Sequence, residues 1–127
     1  RYGEIGAALV GVAGPLTNFL LAFLFFGIYV LAGQPPIGGL VGMFLIVGVS
    51  VNLGFFVFNM LPIPPLDGSR VLYALAPEWA RRGMENIERY GIILVFAVIM
   101  LFGAGIGQFM SAVITFFVDI FARIFGV

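Results

Sequence analysis

The residues that could do chemistry are gathered in one stretch, Asn59-Met60-Leu61-Pro62-Ile63-Pro64-Pro65-Leu66-Asp67-Gly68-Ser69-Arg70. It holds an amide, a carboxylate, a hydroxyl and a guanidinium around three prolines. Proline has no N–H and clashes with the preceding turn, so the backbone must leave the helix there. The preceding residues 5–66 carry no charge, and Asp67 is the first carboxylate after them. In lipid, non-helical backbone persists only where it is buried in protein or lines a watery cavity. An ionisable group at such a break is a functional-site hypothesis. The competing reading is structural: Asp67 or Ser69 caps the following helix by accepting orphan backbone N–H bonds. From the residues alone, both stay open.

The elements that must hold this stretch are membrane helices. Of 127 residues, 62% are hydrophobic and 9% charged, against about 25% charged in a soluble domain. The apolar runs exceed the ~20 residues that span a bilayer. The chain reads as an all-α integral membrane protein forming one domain over residues 1–127. No cysteine is present for disulfides or thiolate metal sites, and no histidine as general base or metal ligand. Any metal chemistry must therefore borrow ligands from outside this chain. Starting on Arg rather than Met and entering an apolar run within four residues, the sequence reads as a piece of a longer protein. The first segment lacks the charged n-region and cleavage site of a signal peptide.

The uncharged run 5–32 predicts a first span and 38–61 a second, separated by Gly33-Gln34-Pro35-Pro36. Within the first lies Ala13-Gly14-Pro15-Leu16-Thr17-Asn18. Ala7, Gly11 and Gly14 offer a small-residue face for close helix approach, with Pro15 as a kink; alternatively, or as well, Asn18 reaches a neighbouring polar loop. Asn52 and Asn59, two turns apart, share a helix face. They serve either interhelical hydrogen bonding or a polar lining toward the proline loop. A short helix follows from Asp67 to about residue 76. Another restarts near Pro77, with Glu78–Arg82 and Glu85–Arg89 expected as i,i+4 pairs at headgroup level. A third apolar segment, 90–102, precedes Gly103, Gly105 and Gly107, which predict a break or strong kink. A last amphipathic or re-entrant helix is expected over 108–125, with Asp119 and Arg123 among four phenylalanines. There are thus about three transmembrane helices, a short post-loop helix and this C-terminal helix.

Arg70, Arg81, Arg82 and Arg89 share one side and the 33–36 turn has no arginine, so the proline loop and Asp67 are expected to face the cytoplasm. No phosphate-binding loop or basic nucleic-acid patch is present.

These residues resemble the site-2 protease family of intramembrane zinc metalloproteases. Asn59-x-x-Pro62-x-Pro64-x-x-Asp67-Gly68 is similar to that family's third-ligand motif, and Ala13-Gly14-Pro15-Leu16-Thr17-Asn18 to its Ala-Gly-Pro-x-x-Asn motif. The similarity covers about residues 3–100 and is to short members without an inserted PDZ domain. The resemblance implies an upstream helix bearing H-E-x-x-H, whose two His bind Zn2+ and whose Glu is the general base. It implies Asp67 as third protein ligand, with a water in the fourth position whose pKa the metal lowers to about 7. Asn59 would hold or polarise the substrate carbonyl, and Gly14, Pro15 and Asn18 would form a structural motif. Pro62, Pro64 and Gly68 would bind a membrane-embedded protein or peptide segment, the unwound backbone pairing with it as in β-augmentation. The departure is that no His exists in the chain, so it holds at most one zinc ligand and should be inactive alone. It is either the C-terminal part of a complete enzyme, as the non-Met start favours, or a homologue without its catalytic helix. The other classes are a non-catalytic membrane peptide-binding homologue and a transporter fragment. A transporter predicts a second inverted copy of the broken-helix pattern, and none is seen in the sequence.

Overall fold

The computed structural model describes residues 2–63 and 66–127. Five helices follow one another: α1 (Tyr2–Leu31), α2 (Leu40–Asn59), α3 (Asp67–Leu75), α4 (Glu78–Glu88) and α5 (Gly91–Phe125). Three of them, α1, α2 and α5, are long and apolar enough to cross a membrane. This is an all-α integral membrane architecture.

Helix α1 runs unbroken through Pro15, whose side chain is fully buried. Proline removes one intrahelical donor, and membrane helices tolerate this when nearby polar side chains re-satisfy the backbone. Beside Pro15 the Thr17 hydroxyl donates to Ala13 O at 2.8 Å and the Asn18 amide lies 3.5 Å from Gly14 O, carbonyls other than Gly11 O, the one that Pro15 leaves without its i+4 donor. The helix ends in a Schellman pattern: Gln34 N–H donates to Tyr29 O and Gly33 N–H to Val30 O. Gly33 takes φ +84°, the left-handed conformation glycine adopts without penalty. The chain then doubles back tightly. A side chain at Gly42 would run into the Pro35 and Pro36 carbonyls.

Helices α1 and α2 pack as an antiparallel pair, with the C-terminal half of α5 laid across them. The buried cluster is Ala22 and Phe26 of α1, Val49 and Leu53 of α2, and Phe121 of α5. Phe121 sits among Phe19, Phe23 and Phe26 with ring centroids 5.2–6.0 Å apart. Phe117 stands edge-on to Phe19 and Phe56. Phe125 covers Gly27, where an added Cβ would be 3.1 Å from the ring. Lipid tails are as apolar as these side chains, so packing rather than water exclusion holds such helices together. Edge-to-face aromatic pairs contribute about 0.5–1.5 kcal/mol each beyond area burial.

Two expectations are corrected. The glycines at 103, 105 and 107 do not break the chain: α5 is one helix of 35 residues, and the segment expected as a separate C-terminal helix is its packed half. Each glycine costs about 1 kcal/mol of helix propensity, whereas an unsatisfied backbone group in hydrocarbon costs several, so continuity wins. The second correction concerns α4, which exists as expected, although among the described residues neither Glu78–Arg82 nor Glu85–Arg89 forms an ion pair. Glu85 instead accepts from the Tyr73 hydroxyl at 2.6 Å, and the ion pair seen is Arg81–Glu4 at 2.8 Å. Exposed i,i+4 pairs are worth only a few tenths of a kcal/mol, too little to outcompete a tertiary partner.

Candidate metal and substrate site

The site forms where α2 ends and α3 begins. Asn59 closes α2, with Met60 N–H still bonded to Phe56 O and Leu61 N–H to Phe58 O. Residues 61–63 then leave the helix; Pro64 lies outside the described residues. Ile63 O accepts from Leu66 N–H at 2.7 Å, and Leu66 O accepts from Ser69 N–H at 3.1 Å and from the Ser69 hydroxyl at 2.7 Å. This tight return brings the first turn of α3 against the end of α2. Gly68 makes the return possible: a Cβ there would collide with the carbonyl oxygens of Met60 and Leu61.

Helix α3 in turn lies on α1. Gly11 is buried beneath it, and a Cβ at that position would be 3.2 Å from Arg70 Cδ and 3.4 Å from Asp67 O. One turn along, the Cβ position of Gly14 is 3.9 Å from Asp67 Oδ2. The small-residue face of the Ala-Gly-Pro segment thus receives the aspartate from the proline loop. Two stretches more than fifty residues apart in sequence meet at one carboxylate oxygen.

The capping alternative fails on geometry. The residue flanking α3 is Leu66 and no side chain caps that end, while the Ser69 hydroxyl donates to a carbonyl rather than accepting an N–H. Asp67 is the first helical residue, where the positive end of the helix dipole favours a negative charge. Among the described residues its half-buried carboxylate has no side-chain hydrogen bond or ion pair, so its oxygens remain available.

The other candidate residues are placed as follows. The Asn59 amide donates to Phe55 O at 2.9 Å, and the Asn52 amide to Gly48 O at 2.8 Å. Each bonds its own helix one turn back rather than another helix. Asn18 does the same and makes no bond to the proline loop among the described residues. Pro62 is exposed and lines an apolar groove of about 210 Å³. Met60 and Leu61 share its wall, facing Phe109 and Val113 of α5.

Reading by motif missed the ties that hold α3 from its other end. Arg81 Nη1 reaches both Glu4 carboxylate oxygens at 2.8 Å, one of them in hydrogen-bonding geometry. Its Nε donates to Tyr73 O at 3.0 Å and its Nη2 to Ala74 O at 3.1 Å, two carbonyls of the last turn of α3. The guanidinium also lies 5.3 Å from the Tyr73 ring centroid. The hydrogen bond to Glu85 raises the Tyr73 pKa above its ordinary 10.0, with burial and the Glu85 charge adding to it.

As a metal centre the described residues are incomplete: no three His, Cys, Asp or Glu side chains converge among them. A single free carboxylate beside a glycine fits one ligand position and no more.

The sequence profile of peptidase family M50 matches residues 37–103, just over half the chain. The chain belongs to peptidase family M50. This is the site-2 protease family, and the match contains the proline loop and Asp67. The chain is 36% identical over 104 residues to "Putative zinc metalloprotease YwhC" of Bacillus subtilis, covering 77% of this chain and 47% of that protein. It is 47% identical over 87 residues to "Putative zinc metalloprotease MJ0611" of Methanocaldococcus jannaschii, covering 68% of this chain and 44% of that protein. The chain therefore spans about half the length of these curated relatives. No solved structure matches it.

Proposed function

We propose that this M50 chain is part of a zinc-dependent intramembrane endopeptidase that hydrolyses peptide bonds of membrane-embedded substrates. Asp67 supplies one carboxylate ligand, and the two His and general-base Glu come from an H-E-x-x-H helix outside these 127 residues. The observation that carries this reading is the approach of Asp67 Oδ2 to 3.9 Å from the Cβ position of Gly14. It brings the family's two downstream motifs to one point, at an aspartate with no structural partner among the described residues. The names of both relatives, as zinc metalloproteases, support zinc as the metal.

Bound zinc would supply an activated water nucleophile at neutral pH. The chain's own residues do the rest. Asp67 holds the metal with an anionic oxygen, and Gly14 keeps the approach to that oxygen free of a side chain. Asn59 spends one amide hydrogen on Phe55 O and, as an amide has two, offers the second to the substrate carbonyl oxygen. Residues 61–63 and Leu66 present non-helical backbone to a substrate segment that has lost its own helix. The groove between Pro62 and Val113 receives an apolar side chain of that segment. The loop faces the cytoplasm, on the arginine-rich side.

The test uses the complete protein. Asp67→Asn and Asp67→Glu lose most zinc and most cleavage, because a ligand needs an anionic oxygen about 2.0–2.2 Å from the metal. Ser69→Ala keeps both. Full zinc and full cleavage in Asp67→Asn would overturn the assignment.

A further inference from the structure

We propose that Arg81 is a positioning residue that locks α3 to α1 and so fixes where the Asp67 carboxylate stands. The inference rests on reading Asp67 as a metal ligand. It adds a device for aiming that ligand, built from residues outside both motifs.

A helix of nine residues has little stability of its own, so its position is decided by its two ends. The N-terminal end is set by close backbone approaches at Gly11 and Gly68. Those contacts act as a pivot: they stop α3 moving closer to its neighbours, but a single pivot leaves a rigid rod free to tilt. The C-terminal end is set by Arg81. One planar guanidinium spans three partners: Glu4 on α1, and the Tyr73 and Ala74 carbonyls at the end of α3. A cation there also complements the negative end of the α3 dipole. The side chain is only 12% exposed, Ala74 beneath it is buried, and the Glu4 side chain is 28% exposed. The pair is therefore shielded from the screening that weakens surface pairs.

Helix α4 has no buried residue of its own, so Arg81 is not simply carried along by a packed element. Arg81 fits all three acceptors at once because its donors form a rigid fork; lysine, with a compact ammonium, cannot reach all three. Partners that orient a metal ligand from behind typically change metal affinity 10–100-fold when lost. The same range is expected here, transmitted along α3.

The test measures position and metal separately, in a cysteine-free version of the complete protein. Nitroxide labels at Ile28 on α1 and Leu72 on α3, both exposed, report the tilt of α3 by pulsed electron paramagnetic resonance in the metal-free protein. Zinc affinity is measured by chelator competition on the folded fraction. The unsubstituted protein gives one narrow distance. Arg81→Ala broadens it and weakens zinc 10–100-fold; Arg81→Lys and Glu4→Gln do both to a lesser degree and serve should Arg81→Ala not fold. An unchanged distance in these variants overturns the proposal. So does a broadened distance with unchanged zinc affinity, provided Asp67→Asn still loses zinc. Zinc retained in Asp67→Asn itself refutes the ligand reading, and the positioning role with it.

Discussion

Gly68→Ala is the substitution for which the structure commits most firmly to a sign. In an ordinary helix, replacing glycine by alanine gains about 1 kcal/mol of propensity. At Gly68 the new methyl would overlap the Met60 and Leu61 carbonyl oxygens. These are backbone atoms at the end of α2 and cannot rotate aside as a side chain would. A carbon settles about 3.3–3.6 Å from a carbonyl oxygen, so the first turn of α3 must retreat by roughly 1 Å. Overpacking of this kind costs about 1–3 kcal/mol; with backbone atoms in the way the upper end applies, and after about 1 kcal/mol of propensity is returned the net is a loss of up to about 2 kcal/mol. The control is Gly83→Ala on α4, where nothing lies within 4 Å of the added methyl, and a gain of about 0.5–1 kcal/mol is expected. Reversible unfolding in mild detergent, followed by circular dichroism, compares the two with the parent. Because the retreat shifts the first turn of α3, and Asp67 with it, relative to Gly14, Gly68→Ala should also lose zinc in the complete protein while Gly83→Ala keeps it. Gly68→Ala equal to the parent in stability and zinc would refute the close-packed return.

Three further outcomes are expected. Phe121→Ala, at a position 1% exposed among three other aromatics, should cost about 3–5 kcal/mol in the same unfolding assay; a cost under about 1 kcal/mol would mean that α5 does not pack there. The Tyr73 hydroxyl has a pKa raised above 10.0, chiefly by donating to Glu85. Its contribution is therefore fully present below pH 10 and lost as pH rises through the raised value, so Tyr73→Phe should remove this pH dependence; a Phe variant with the same alkaline loss would show another group responsible. Cysteines at Gln34 and Arg82 should react with an impermeant reagent from opposite sides of the membrane; labelling of both from one side would overturn the topology.

Much of the fold was legible because lipid imposes few solutions. Uncharged runs long enough to span had to be helices, and the prolines at 62, 64 and 65 had to end one. Asp67 stood out for being the first acid beyond so long an uncharged stretch. What sequence could not give was partner choice. Gly103, Gly105 and Gly107 signalled a break by propensities measured in water, yet α5 continues because an open backbone in lipid costs more than glycine does. Glu78–Arg82 and Glu85–Arg89 had ideal spacing for ion pairs along α4, yet Glu85 accepts from the Tyr73 hydroxyl instead, and exposed pairs of this kind gain too little to be held. The asparagines at 18, 52 and 59 pointed to interhelical or loop contacts, whereas each amide turns to its own helix. The Arg81–Glu4 tie, between residues 77 apart in sequence, has no local signature. It appears only once α3 lies on α1.

The central claim, that residue 67 is a zinc ligand, is tested most directly by changing the element that touches the metal. In a cysteine-free version of the complete protein, Asp67→Cys introduces a single thiolate, at that position. In the complete protein loaded with zinc, X-ray absorption at the zinc edge should detect one sulfur in the first shell at about 2.3 Å, replacing an oxygen at about 2.0–2.2 Å. A zinc-loaded Asp67→Cys protein whose first shell holds only nitrogen and oxygen would contradict the account.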